Sequence, residues 1–246
     1  MGRGSSGAGK GGGAGVKAGG GTPSGVTLDQ FRQMDEQQQI ATIDNILSSA
    51  TITVPQYLDG SDTTKVMYAL GMSNKTTVVD EKTLNAMQGR ELFRTVYEDG
   101  SMPPPSSNDI LDQVRNGDYT QLSGSGGSAH GRAIYFATSF KESADYGKYR
   151  QNPAVMRCKL NANANMINER TLNAQFQNSA FFGKYSSTDG KALFAISKGY
   201  DGWFSQWSGY NMILNRGALT SSSQSKTIRA KNGGYAGSWR TAQKTP

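Results

Sequence analysis

From residue 26 the apolar side chains recur at helical intervals. Thr27 with Gln30 three positions on has the form of a capping box, and Leu28 and Phe31 come next on one face. Asp35 with Gln38 repeats the signal ahead of Ile40, Ile43, Ile46 and Leu47. Pro55 interrupts the pattern. A short helix is expected from Asp62 through Val66, Met67 and Leu70, ending at Gly71. Another is expected from the cap Asp80 through Leu84 and Met87, stopped by Gly89. Residues 26–88 therefore read as a helical lobe, either a separate subdomain or packing for the remainder of the chain.

The period then changes. Leu92-Phe93-Arg94-Thr95-Val96-Tyr97 alternates as a strand does. Three prolines, Pro103 to Pro105, make a rigid break before an expected helix from Asn108 through Ile110, Leu111 and Val114, closed by Gly117. Residues 123–131 are a Gly/Ser-rich loop. A strand Ala133–Ala137, a short helix Lys141–Tyr146 and a strand Val155–Leu160 come next. Helices at about 169–176 and 190–198 lead through Gly199 to two closing strands, Tyr200–Phe204 and Tyr210–Leu214. Short strands interleaved with short helices, with no regular strand–helix–strand rhythm and no internal repeat, point to an α+β class over residues 89–220.

Composition changes the picture at the two ends. Of 31 glycines, 12 fall in the first 25 residues, which are otherwise rich in Ser, Ala and Lys; such a segment buries too little surface to fold and is expected to be a disordered tail. The net charge of +7 is also terminal. Residues 1–25 and 221–246 together hold eight Lys and Arg and no acid, which leaves 18 cations against 19 Asp and Glu in residues 26–220. Residues 221–246 thus read as a basic C-terminal extension. Basic ends of this kind either solubilise a chain or make weak, salt-sensitive contacts with nucleic acid or another polyanion. Cys158 is the only cysteine and lies in an apolar-alternating run, so a core position and no internal disulfide are expected. The one histidine, His130, sits in the Gly-rich loop, which argues against a Cys/His zinc site and a Ser-His nucleophile pair. The chain has no apolar run of membrane-spanning length, no signal-peptide pattern and no GxxxxGK[ST] or HExxH motif, and a soluble protein of a reducing cytoplasm is expected.

The densest chemistry lies in residues 130–147, HGRAIYFATSFKESADYG. This reads as a loop, an apolar strand, a turn with two hydroxyls (Thr138 and Ser139) and a helix. Ser143 and Tyr146 are three apart on that helix, and Tyr135 on the strand can join them. Two tyrosine rings and a serine hydroxyl suit a flat, amide-bearing heteroaromatic ring, the rings stacking and the hydroxyl bonding the amide.

The segment resembles the nicotinamide-binding stretch of the ADP-ribosyltransferase superfamily, above all the poly(ADP-ribose) polymerase branch, with its G-x-G-I-Y-F-A and S-x-S-A-x-Y patterns. The resemblance implies an ADP-ribosyltransferase-like domain with a split sheet, NAD as co-substrate, Tyr135 and Tyr146 flanking the nicotinamide and Ser143 bonding its carboxamide. It also assigns Arg94, after Leu92-Phe93, to the NAD ribose or phosphate, as in the toxin-like branch, and the Thr95 backbone to the carboxamide. The Ser-Thr-Ser of that branch falls on Ala137-Thr138-Ser139, so Thr138 and Ser139 remain. The family's catalytic glutamate falls on Tyr210, at the head of Tyr210-Asn211-Met212-Ile213-Leu214-Asn215, and no Asp or Glu comes after Asp201. A tyrosine hydroxyl can bond a ribose but carries no charge at neutral pH. Asp201 and Glu169 are the alternative carboxylates, each also readable as a turn or helix-start residue.

Three functional readings stand. The first is an enzyme transferring single ADP-ribosyl units from NAD to a protein or nucleic-acid acceptor. The second is a degenerate transferase fold kept as a binding or structural module; Gly-rich basic ends and Gln runs such as Gln37–Gln39 occur in phage structural or cargo proteins, which places the chain in a bacterial host cytoplasm or a virion. The third is a nucleic-acid-binding module using Tyr235, Trp239 and Arg240 near the end.

Overall fold

A computed structural model describes residues 22–54, 60–73, 76–98, 132–147 and 151–227, with three short strands beyond. The expected helix over 108–117, the loop 123–131 with His130, and residues 1–21 of the expected tail lie outside the described residues. No described helix is long and apolar enough to cross a membrane.

The sequence signals for helix starts translate directly into caps. The Thr27 amide donates to Gln30 Oε1 at 2.9 Å while Gln30 N donates to Thr27 Oγ1 at 3.2 Å, opening α1 (Leu28–Gln33). The same exchange between Asp35 and Gln38 opens α2 (Glu36–Ser48). Ser61 caps α3 (Asp62–Ala69), and Asp80, accepting from Thr83 N at 2.6 Å, caps α4 (Glu81–Ala86). Ordered chain begins before the expected boundary at residue 26, since Ser24 Oγ donates to the Ala69 carbonyl at 2.7 Å.

The strands form two sheets. The larger contains β1 (Thr77–Val79), β2 (Glu91–Glu98), β4 (Gln151–Leu160) and β8 (Leu219–Thr227) in the order β1-β8-β4-β2, with β11 (Trp239–Thr241) also pairing β8. Only the β1–β8 pair is parallel. The smaller sheet has the order β3-β7-β6-β5, built from β3 (Ile134–Phe136), β5 (Met166–Asn168), β6 (Gly202–Phe204) and β7 (Asn211–Ile213). Strands β9 (Arg229–Lys231) and β10 (Gly234–Ala236) form a separate hairpin. The two sheets are joined where Phe93 on β2 and Ala137 just after β3 exchange both backbone hydrogen bonds, at 2.9 and 2.8 Å. Among the described residues the remaining α-helices are α5 (Phe140–Gly147), α6 (Glu169–Gln177) and α7 (Ser187–Ser197). The α+β class expected from the strand–helix rhythm is therefore the one observed.

Helix α7 is the axis of the core. Every residue from Asp189 to Ser197 is buried, so it needs cover on all sides. Residues of the expected helical lobe supply part of it: Phe31, Ile40, Ile43 and Val66 join one buried cluster with Phe136, Phe194, Trp203 and Met212. Thus residues 26–88 share the core of the rest of the chain, and β1 makes them part of its sheet.

The boundary expected at residue 221 falls inside β8. Ser221 and Ser222 are 0% exposed, in the middle of the larger sheet. The strand is hidden from a hydrophobicity reading because its buried residues are small and polar. Their hydroxyls are satisfied instead: Ser221 Oγ lies 2.9 Å from Thr76 Oγ1 and 3.2 Å from Cys158 Sγ, and Ser222 Oγ donates to Glu81 Oε2 at 2.6 Å. Cys158 is buried, as its pattern implies.

Gly202 permits the close pairing of β6 and β7. A Cβ there would overlap the Met212 carbonyl oxygen and stand 3.1 Å from the Ile213 Cα, both backbone atoms that cannot rotate away. Gly202→Ala is expected to destabilise the protein by about 2–3 kcal/mol, the range typical of overpacked interiors, and to lower the urea midpoint with an unchanged slope.

Candidate functional site

The candidate residues lie where β2, the β3–α5 turn and the β6–β7 loop come together. Arg94, half-buried on β2, donates from Nη1 to the Tyr135 carbonyl at 2.9 Å, and its guanidinium carbon is 6.0 Å from the Phe136 ring centroid. This cross-strand bond holds the Arg94 fork against β3. Tyr135 and Tyr210 meet edge to face, with centroids 6.3 Å apart and planes inclined at 69°. Tyr210 sits immediately before β7 instead of on it, its carbonyl accepting from Ser205 N at 2.9 Å. The loop it closes therefore projects its ring toward β3.

Helix α5 forms the facing wall. Its small residues Ser143 and Ala144 allow close approach to β2, where Phe93 packs edge-on against Phe140 at 6.3 Å and Ala144 and Val155 complete a local apolar cluster. The cost of that approach falls on Ser143. It is only 5% exposed, its carbonyl accepts a short hydrogen bond from Thr95 Oγ1, and its hydroxyl lies 3.1 Å from the same oxygen. Ser143 and Thr95 thus face one another beneath the helix and not the open cleft. Ser139 Oγ accepts from the Glu142 amide at 3.2 Å, which closes the first turn of α5. Thr138 and Ser139 are both exposed, and Tyr146 is 61% exposed, unusual for so large an aromatic.

The residue that the sequence did not single out is Glu142. It is four positions before Tyr146, so the two share a helix face, and that i,i+4 spacing was the available signal. Opposite them Gly209 has φ +69°. A Cβ built on it would lie 3.6 and 3.7 Å from the two Glu142 carboxylate oxygens and 3.8 Å from Thr138 Oγ1. The Tyr210 phenol is pushed upward, first by burial and then by the Glu142 charge and, where Tyr146 itself ionises, by that phenolate, so it is protonated and neutral at physiological pH.

The two alternative carboxylates are committed elsewhere. Asp201 accepts from Asn165 N and from Asn215 Nδ2, both at 2.8 Å, and so ties the β5 and β7 ends together. Glu169 is buried and pairs with Lys191 Nζ at 2.8 Å, beside the buried Trp203. A cavity of about 380 Å³ lies between α6 and the β6–β7 loop, lined among others by Asn168, Glu169, Arg170, Gln177 and the almost fully exposed Trp207. Of the candidate site residues, Glu169 alone borders it. Among the described residues no group of three or more His, Cys, Asp or Glu is placed to hold a metal ion.

No protein-family model, curated protein or solved structure matches the chain.

Proposed function

We propose that this cleft binds NAD and that the protein transfers single ADP-ribosyl units from it to a protein or nucleic-acid acceptor. The observation that carries the reading is the approach of Tyr135 and Tyr210 from separate elements, with Thr138 beside the residue before Tyr210 and Arg94 bonded to the Tyr135 backbone. Tyrosine rings on two walls fit a planar nicotinamide, and a guanidinium at the floor fits the diphosphate, which it can bond in a fork. In the reaction the bond between nicotinamide nitrogen and the ribose C1′ breaks, the bonding pair leaves with the nitrogen, and the pyridinium becomes neutral nicotinamide. An acceptor oxygen or nitrogen attacks C1′ and loses its proton. The buried position of the Ser143 hydroxyl leaves the carboxamide to other donors, among which Thr138 is exposed at the cleft.

The neutral Tyr210 favours a second reading, a binding module that holds NAD without turning it over. Incubation of the protein with NAD labelled in the ADP-ribose portion and a bacterial lysate separates the two. Label on a lysate component, reduced about 10- to 100-fold by Tyr146→Ala, is the expected result, because loss of one aromatic platform costs about 1–3 kcal/mol. Tyr146 is mostly exposed, so its removal leaves the fold intact. Saturable NAD binding without transfer would favour the binding module, and absence of binding would overturn both readings.

A further inference from the structure

We propose that Glu142, on the first turn of α5, is the catalytic carboxylate of this cleft, facing the ribose from the wall opposite Tyr210. The inference rests on the NAD-cleaving reading above and names the group that reading lacks. Breaking the bond between C1′ and nicotinamide develops positive charge on the ribose ring, and a negative group beside it lowers the barrier more than a neutral dipole can. Tyr210 supplies a hydroxyl but no charge. Asp201 and Glu169 are held in the hydrogen bonds and ion pair described above.

Glu142 is differently placed. Its two carboxylate oxygens stand 3.6 and 3.7 Å from the point where a side chain would begin at Gly209, with Thr138 Oγ1 3.8 Å from the same point. Carboxylate and hydroxyl therefore come within van der Waals reach of one point on the residue that precedes Tyr210. Among the described residues the Glu142 side chain forms no hydrogen bond or salt bridge, and it is half-buried, so its field is less screened than that of a fully exposed acid. Burial first, and then the Glu142 charge, push the Tyr210 phenol upward.

Electrons and protons balance without any further reagent. The carboxylate stays ionised throughout, the bonding pair leaves with nicotinamide, and water or an acceptor supplies the new bond to C1′ and releases a proton to solvent. The role is electrostatic and needs the charge, so Glu142→Gln is the informative change and Glu142→Asp its conservative partner.

The test measures three quantities on the full chain: nicotinamide release from NAD, NAD affinity by calorimetry, and titration of Tyr210 by NMR of ring-labelled tyrosine. For Glu142→Gln, kcat is expected to fall about 100-fold, the scale found for removing one preorganised electrostatic contact. KM and NAD affinity should change little, and Tyr210 should titrate at lower pH than in the wild type. Glu142→Asp should restore part of kcat. Wild-type kcat in Glu142→Gln, with NAD turnover intact, would overturn this assignment and leave the proposed reaction standing. A wild-type protein that binds NAD but releases no nicotinamide would overturn the assignment and leave only binding. A wild-type protein that binds no NAD would remove the reading of the cleft itself.

Discussion

Arg94→Ala is expected to weaken NAD binding by about 100-fold or more, while the protein remains folded. Loss of a desolvated, hydrogen-bonded cation opposite a diphosphate costs about 3 kcal/mol, which corresponds to roughly 100-fold in affinity. The structural cost is smaller. The Arg94 hydrogen bond to the Tyr135 carbonyl is worth about 1 kcal/mol, and that carbonyl stays close to the open cleft once the side chain is gone. Arg94→Lys is the sharper probe. It keeps the charge and loses the planar fork, so affinity should fall between those of the wild type and the alanine variant. Calorimetry with NAD, alongside thermal unfolding of each variant, checks the prediction. Normal NAD binding by Arg94→Ala would show that the diphosphate does not lie over β2.

The largest stability effect is expected at Asp189. One carboxylate there accepts three hydrogen bonds and pairs with one cation. Oδ1 accepts from Thr63 Oγ1 at 2.6 Å and Thr63 N at 3.2 Å and lies 2.9 Å from Arg132 Nε, while Oδ2 accepts from Ser186 Oγ at 2.9 Å. These bonds tie the N-termini of α3 and α7 to the segment that leads into β3. Asp189→Ala leaves the buried Thr63 without its acceptor and the largely buried Arg132 without its counter-ion and is expected to cost about 3–5 kcal/mol, read as a lower denaturant midpoint. Asp189→Asn keeps an acceptor for Thr63 and should cost less. Burial by itself would raise the Asp189 pKa, but the hydrogen bonds from Thr63 and Ser186 and the Arg132 charge outweigh it, and the net direction is downward. A depressed carboxylate contributes stability that is complete above the unfolded value, about pH 4, and is lost as pH falls through the lower folded value. The wild type should therefore lose stability below about pH 4, and the alanine variant should show a shallower acid slope.

Local signals in the sequence translated well wherever the determinant was itself local. The two capping boxes at Thr27 and Asp35 and the Asp80 cap involve partners three residues apart, and each is present. The period switch near residue 91 marked β2 because its alternation faces two packed layers. The pattern hid whatever was set by distant partners. Strand β8 is rich in Ser and Thr and becomes a central strand only because Thr76, Cys158 and Glu81 take up its hydroxyls. The sequence placed Tyr135 and Tyr210 on two different strands; Tyr210 instead precedes its strand, and its ring lies edge to face with that of Tyr135. It grouped Ser143 with Tyr146 by helical spacing, but the buried side of α5 runs through Ser143 and Ala144, and its cleft side through Glu142 and Tyr146. Three- and four-residue spacings both satisfy a helix; only the packing of α5 on β2 decides between them.

The placement of β8 also dictates an order of events during synthesis. One edge of this strand bonds β4, while the other is shared by β1, with Thr77 opposite Thr220, and by β11. A ribosome must deliver the chain as far as residue 227 before the middle of the larger sheet exists, leaving β1 and β4 each with an unpaired edge until then. Such long sequence separation slows folding and prolongs exposure of sticky strand edges. C-terminal truncations that reach into residues 219–227 should consequently yield aggregates in the cell, whereas point substitutions in the exposed wall of the cleft should accumulate as soluble protein.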